Sequence, residues 1–144
     1  MVNEQVVVFG ASGFLGSHVA DALSAAGYRV RLFDRSPSPY LKSNQEMIIG
    51  DIMNLDQVIE AAKGTSIVYN FAAIADIDEA NDKPIPTATI NVLGNMHALE
   101  AARVAGARRF VFASSVYVYS ESGSFYRASK QAAERFTETY HERY

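Results

Sequence analysis

The chain has 144 residues, 49% hydrophobic and 20% charged, with a formal net charge of −3. That length is enough for one domain with a real core, and the mild acidic balance offers no surface for a polyanion, so no nucleic-acid partner is expected. With no cysteine, disulfide and thiolate chemistry are excluded, and His18, His97 and His141 are too scattered to hold a metal, so no metal site is expected.

Met1 leads almost at once into Gln5-Val6-Val7-Val8-Phe9, with no basic leader, and no later apolar run approaches the ~20 residues of a membrane helix. A soluble, cytoplasmic protein without a membrane partner is the expectation. The Gln5–Phe9 run reads as a fully buried parallel strand. It enters Gly10-Ala11-Ser12-Gly13-Phe14-Leu15-Gly16 and then an amphipathic helix from Ser17 to Leu23. A strand, a glycine turn and a helix N-terminus form a phosphate-holding device. Backbone N–H groups and the helix dipole converge there, and glycine lets the backbone come close. The spacing is G-x-x-G-x-x-G, not the more familiar G-x-G-x-x-G.

Gly27 stands where a left-handed helix-closing glycine belongs. Tyr28 to Phe33 alternates as a second strand ending at Asp34, 18 residues after Gly16, where an acid bonds an adenosine ribose 2′-OH. A carboxylate there favours NAD over NADP by repelling a 2′-phosphate, and Arg35 partly offsets that repulsion. The competing reading is that the glycines serve tight packing and Asp34 is a solvated loop acid.

Ser36-Pro37-Ser38-Pro39 is loop chemistry, and Glu46 to Ile49 is a short third strand stopped by Gly50-Asp51. Asn54 with Gln57 forms a capping-box pattern ahead of a helix through Leu55, Val58, Ile59 and Ala62, closed by Gly64. Ser66 to Phe71 reads as a fourth strand. Residues 75–86 read as an Asp-rich loop, followed by one long helix from about Thr87 to Ala105, ended by Gly106. Arg109 to Ala113 is a fifth strand, and residues 126–144 form a last helix with Ala128, Ala132, Ala133, Phe136 and Tyr140 on one face. The alternation predicts an α/β fold: a doubly wound parallel sheet of order 3-2-1-4-5, a Rossmann fold, with residues 1–144 forming one NAD(P)-binding domain. Its ligand crevice belongs beyond the carboxyl ends of strands one and four.

Ser115 stands at the end of strand five, and Tyr126 and Lys130, at i and i+4, share one face of the last helix. An ammonium beside a phenol favours the phenolate, lowering a pKa that is otherwise ~10. Such a tyrosine takes a proton from a substrate hydroxyl as hydride leaves the same carbon, while a serine steadies the oxygen. Taken alone, Tyr-x-x-x-Lys arises readily by chance among eight tyrosines.

In this order, the motifs resemble the N-terminal part of an extended short-chain dehydrogenase/reductase of the NAD-dependent epimerase/dehydratase family, of which UDP-glucose 4-epimerase is the familiar member. Gly10 to Gly16 resembles the glycine loop, with Phe14 and Leu15 facing the pyrophosphate, and Asp34 the ribose acid. Gly50-Asp51-Ile52 resembles the adenine-contacting pair. Asn70-Phe71-Ala72-Ala73 resembles the cofactor-lining motif, which usually begins with His. Asn91-Val92-Leu93-Gly94-Asn95 resembles the helix motif whose asparagine supports the site. Ser114 to Tyr119 resembles the serine motif. The resemblance implies a cofactor set of Gly10, Ser12, Gly13, Phe14, Leu15, Gly16, Asp34, Arg35, Asp51, Ile52, Phe71, Ala72, Ala73 and Asn91, and a catalytic set of Ser115, Tyr126 and Lys130. It implies NAD as cofactor, a nucleotide-sugar substrate for an epimerase or dehydrogenase, and a homodimer through the 87–105 and 126–144 helices.

The chain departs from the family in three places. The loop from Ser120 to Phe125 is short and Ser120 replaces a glycine, and the expectation is a truncated unit, without the family's later strands and C-terminal substrate domain and with little or no turnover of its own. Val116 and Tyr117 stand where a dehydratase carries Asp and Glu, which disfavours dehydration. A non-catalytic NAD(P)-binding sensor or regulatory partner is the alternative. His97 reads as packing or surface, Tyr117 and Tyr119 as strand-end packing, and Phe136, Tyr140 and Tyr144 as core or interface.

Overall fold

A computed structural model describes residues 4–144; Met1, on which the absence of a leader was argued, lies outside them. In β1 (Gln5–Phe9), Val6 to Phe9 are completely buried, as a strand covered on both faces requires. β2 (Arg29–Asp34) and β3 (Gln45–Ile49) extend the sheet on one side, β4 (Ile67–Asn70) and β5 (Arg109–Phe112) on the other. All pairings are parallel and the order is β3-β2-β1-β4-β5, as the sequence predicts. The register aligns Phe33, Phe9, Asn70 and Phe112 across the carboxyl end of the sheet.

α1 (Phe14–Ala25) covers one face through Ala20, over Val6, Val8, Val30, Leu32 and Ile67. α2 (Leu55–Ala62) and α5 (Gly94–Ala105) cover the other. Val58, Ala61, Ala62, Ala98, Ala101 and Ala102 pack there on Val7, Phe9, Phe33 and Val68. Phe9 meets Phe33 edge-on at 5.2 Å, worth about 0.5–1.5 kcal/mol beyond simple burial. α6 (Ser124–Arg143) lies against α5 on this second face. No helix among the described residues is long and apolar enough to cross a membrane.

Four local features differ from expectation, each for a physical reason. α1 begins at Phe14, not Ser17, because Gly16 is already in its first turn, where a Cβ would collide with the Gly10 carbonyl oxygen. The Asp-rich stretch is helical: α3 (Ile77–Asp82) is capped by Asp76, whose carboxylate accepts from Glu79 N at 2.8 Å, and α4 (Pro84–Ala88) opens on a proline. Asp76 is the cap and Asp78 and Glu79 lie in the first turn, where the helix dipole favours them. The long helix is broken by a π-helical turn, Thr89–Leu93, ahead of α5. Finally, Val116–Tyr119 is a single 3₁₀ turn capped by Ser115, not the end of a strand.

Candidate functional site

Gly10 leaves β1 with a φ of +73°, and a Cβ on it would lie 2.5 Å from Ala72 N, so the turns after β1 and β4 touch through this missing side chain. The turn uses its own donors internally. Gly10 N and Ala11 N both donate to Phe33 O at 3.0 and 3.3 Å, Ser12 N to Asp34 Oδ2 at 3.0 Å, and Gly13 N to Gly10 O at 3.3 Å. This corrects the expectation that all the turn's N–H groups face a ligand. Those of Phe14, Leu15 and Gly16 in the first turn of α1 have no partner among the described residues. The Phe14 and Leu15 side chains are exposed, so the donors left free at this turn are those of the helix end itself.

Asp34 has a double role. One carboxylate oxygen anchors Ser12 N, and Ser12 Oγ donates to Ser36 O at 2.7 Å, so the acid ties the glycine turn to the end of β2 while lining the cleft. The turn after β3 is just as constrained. Asp51 N donates to Gln57 Oε1 at 3.0 Å, Asn54 N to Asp51 O at 2.9 Å, and Met53 N to Asp51 Oδ1 at 2.9 Å. Asn54 caps α2 as expected, its Oδ1 accepting from Gln57 N at 3.2 Å, but the Gln57 side chain grips Asp51, so the reciprocal half of the capping box is not made. Asp51 Oδ2 and Ile52 N–H, an acceptor beside a donor, keep no partner among the described residues.

Gly10, Gly13, Asp34, Arg35, Asp51, Ile52, Phe71, Ala72 and Ala73 line one cleft, together with Ile74 and Ile90. Ser12, Phe14, Leu15 and Gly16 belong to the turn and helix end beside it. Asn91 is different. It is 2% exposed, its Oδ1 accepts from Ile74 N at 2.7 Å, and its Nδ2 donates to Ile74 O at 3.0 Å and Ser129 Oγ at 2.9 Å. Its polar atoms are committed to a staple between the β4–α3 connection and α6, leaving none for a cofactor.

At the carboxyl end of β5, α6 brings Tyr126 and Lys130 together. Lys130 Nζ lies 5.8 Å from the Tyr126 ring centroid and 4.9 Å from that of Phe112, and it donates to Ala113 O at 2.7 Å. The side chain is buried, and loss of hydration pulls its pKa from 10.5 down to about 8. The buried ring of Tyr126 meets Tyr117 edge-on at 6.3 Å, while its hydroxyl has no hydrogen-bond partner among the described residues. Ser115 Oγ accepts from Tyr117 N at 3.2 Å, which leaves its own proton to donate. Tyr117 thus touches both, Ser115 through its backbone N–H and Tyr126 through its ring.

Two contacts escaped the sequence reading. Asn70 Nδ2 donates to Asn95 Oδ1 at 2.8 Å, and Asn95 Nδ2 donates to Ala133 O at 3.3 Å and Thr137 Oγ1 at 3.2 Å, joining the carboxyl end of β4 to α6. His97 Nδ1 lies 2.9 Å from Ile52 O. The signal for the first was available: Asn91 and Asn95 stand one turn apart, so the two amides fall on neighbouring positions of one face.

Residues 6–144 match the NAD dependent epimerase/dehydratase family. A UDP-glucose 4-epimerase of Rhizobium leguminosarum bv. trifolii is 33% identical over 124 residues, which cover 83% of this chain and 38% of that protein. A 3-beta-hydroxysteroid dehydrogenase of Mycolicibacterium neoaurum is 33% identical over 120 residues, 77% of this chain and 32% of that protein. Among solved structures, MoeE5 in complex with UDP-glucose and NAD is similar over 96% of this chain and 50% of that one, with a TM-score of 0.88 at 31% identity. The chain thus spans less than two fifths of the length of these curated relatives.

Proposed function

The chain belongs to the NAD-dependent epimerase/dehydratase family, and from that premise we propose that it is the NAD-binding, acid–base unit of an epimerase or dehydrogenase acting on a nucleotide sugar. The observation that carries the reading is the Tyr126–Lys130 pair, held at the end of β5 in the sheet whose other carboxyl ends line the cleft. The residues fit NAD. The N–H groups of Phe14 to Gly16 suit a pyrophosphate and Asp34 suits a ribose hydroxyl, while Gly10 and Gly16 allow the backbone packing that shapes the turn, since a Cβ on either would collide with it. Asp51 Oδ2 and Ile52 N–H match the amino donor and ring acceptor of adenine. The aligned lengths leave most of each relative outside the match, so we propose that the second wall of a sugar pocket comes from sequence outside this alignment, and that this stretch alone turns over slowly or not at all.

Bound NAD would accept a hydride from a carbinol carbon and, in an epimerase, return it to the opposite face. Tyr126 takes the hydroxyl proton of that carbon and gives it back. The Lys130 ammonium, largely protonated at pH 7, stabilises the phenolate from one helical turn away. Ser115 donates to the reacting oxygen. We also propose one domain working in the cytoplasm as a homodimer through α5 and α6, where Val104, Phe136 and Tyr144 are exposed.

The test is NAD titration, then a nucleotide-sugar panel, on the wild-type chain and Tyr126→Phe. NAD binding by both, with NADH appearance or epimerisation only in the wild type, supports the reading. Binding without reaction on any sugar favours the sensor only where the chain is extended to carry the second wall of the sugar pocket. Absence of nucleotide binding overturns both.

A further inference from the structure

The Gly50–Asn54 turn carries the acceptor and donor offered to an adenine ring, and its geometry is not set by the turn alone. Gln57 and Asn54 restrain the Asp51 peptide groups, but the Ile52 carbonyl has a different partner, His97 Nδ1 at 2.9 Å, reaching over from α5. A carbonyl oxygen can only accept, so Nδ1 carries the proton. α5 also meets the Ile52 side chain: a Cβ at Gly94 would lie 3.2 and 3.3 Å from its Cγ2 and Cγ1 atoms. Gly94 and His97, one helical turn apart, therefore hold one residue by both its side chain and its peptide group.

We infer that His97 is a positioning residue for adenine recognition, fixing the Ile52 peptide so that Ile52 N–H and Asp51 Oδ2 present a matched pair to the base. His97 itself need not touch the ligand. This rests on the proposal that the cleft takes an adenine dinucleotide. Without the imidazole, the carbonyl of a residue only 6% exposed loses its partner and the turn can rotate toward another. The loss falls on the adenine end alone, because the glycine turn and Asp34 make their bonds elsewhere.

Equilibrium binding of ADP, IDP and NMN to the whole chain tests this with wild type, His97→Ala and His97→Asn. Hypoxanthine lacks the amino group of adenine, so the IDP-to-ADP ratio of dissociation constants reads the Asp51–Ile52 pair directly. The expected result is an ADP affinity about three- to tenfold weaker in His97→Ala, with a matching fall in the ratio and no change for NMN. His97→Asn, whose Nδ2 replaces Nδ1, restores both. Equal weakening of all three ligands, or none, overturns the inference while leaving the cleft's assignment intact. Failure of the wild type to bind ADP at all overturns both. A ¹⁵N spectrum of the wild-type chain showing His97 Nδ1 unprotonated also overturns the inference, whatever the variants do.

Discussion

Lys130 should cost the fold stability at neutral pH, and Lys130→Met measures by how much. The drop from 10.5 to about 8 corresponds to roughly 3 kcal/mol, at about 1.4 kcal/mol per pH unit. The sign follows from which state holds the proton. Below pH 8 both folded and unfolded chains carry the ammonium, and the folded state bears the full cost of burying it. Between pH 8 and about 10.5 the folded state has released its proton and the unfolded state has not, so stability rises with pH. Above that range nothing further is gained. Methionine removes the buried charge but also the hydrogen bond to Ala113 O, worth about 1 kcal/mol. The variant should therefore be more stable than wild type by about 2 kcal/mol at pH 7, and its advantage should vanish or slightly reverse by pH 10.5. Urea unfolding followed by circular dichroism at half-unit steps from pH 6 to 10.5, taken as the difference between the two proteins, cancels the other titrating groups. A difference that stays flat across pH 8 to 10.5, or a wild type that weakens relative to the variant as pH rises, refutes the reasoning.

Asn95→Ala leaves Asn70 Nδ2 buried without a partner and should cost about 2–4 kcal/mol in urea unfolding. Replacing both Asn70 and Asn95 by leucine should cost less than the sum of the single changes, since neither partner is then orphaned. Gly16→Ala, whose Cβ would meet the Gly10 and Ala11 backbone, should abolish NAD binding in calorimetry. Gly13→Ala meets only Gly10 O at 3.4 Å and should alter thermal stability by less than about 1 kcal/mol. Asp34→Asn removes the charge facing a 2′-phosphate and should narrow the preference for NAD over NADP by about tenfold, read as a ratio of dissociation constants.

Strand order was legible because each strand is a short apolar run between turn residues, and a parallel sheet with right-handed crossovers leaves few ways to connect five of them. The cleft was legible for the same reason: Gly10, Asp34, Asp51 and Ala72 lie at or within two residues of the carboxyl ends of their strands, so strand order brings them together. What escaped lies on helices, where contact depends on phase as well as order. Asn91, assigned to the cofactor, is rotated onto Ile74 and Ser129, and a π-helical turn, which shifts the phase of everything around it, spans its position. His97 is polar in a helix whose apolar pattern says only that some face is buried, and the pattern does not say which neighbour the imidazole meets. The Asp-rich stretch misled for a further reason, because the same residues that favour loops also cap helices.

α5 connects these errors. Gly94, Asn95, Ala98, Leu99, Ala101 and Ala102 are all buried, so the helix is enclosed on more than one side and its polar side chains need protein partners. They find them on three different walls. Asn91, in the π turn leading into α5, holds the β4–α3 connection and Ser129. Asn95 joins Asn70 to Ala133 and Thr137. His97 holds Ile52. The Gly50–Asn54 turn, the end of β4 and the helix carrying Tyr126 and Lys130 are therefore registered against one segment. Loops have soft dihedrals, whereas breaking any of these buried bonds strands a polar atom at a cost of about 1–3 kcal/mol. A two-ended ligand that must reach from the end of β3 to the end of β5 needs those walls at a fixed separation, and the polar residues of this segment supply it.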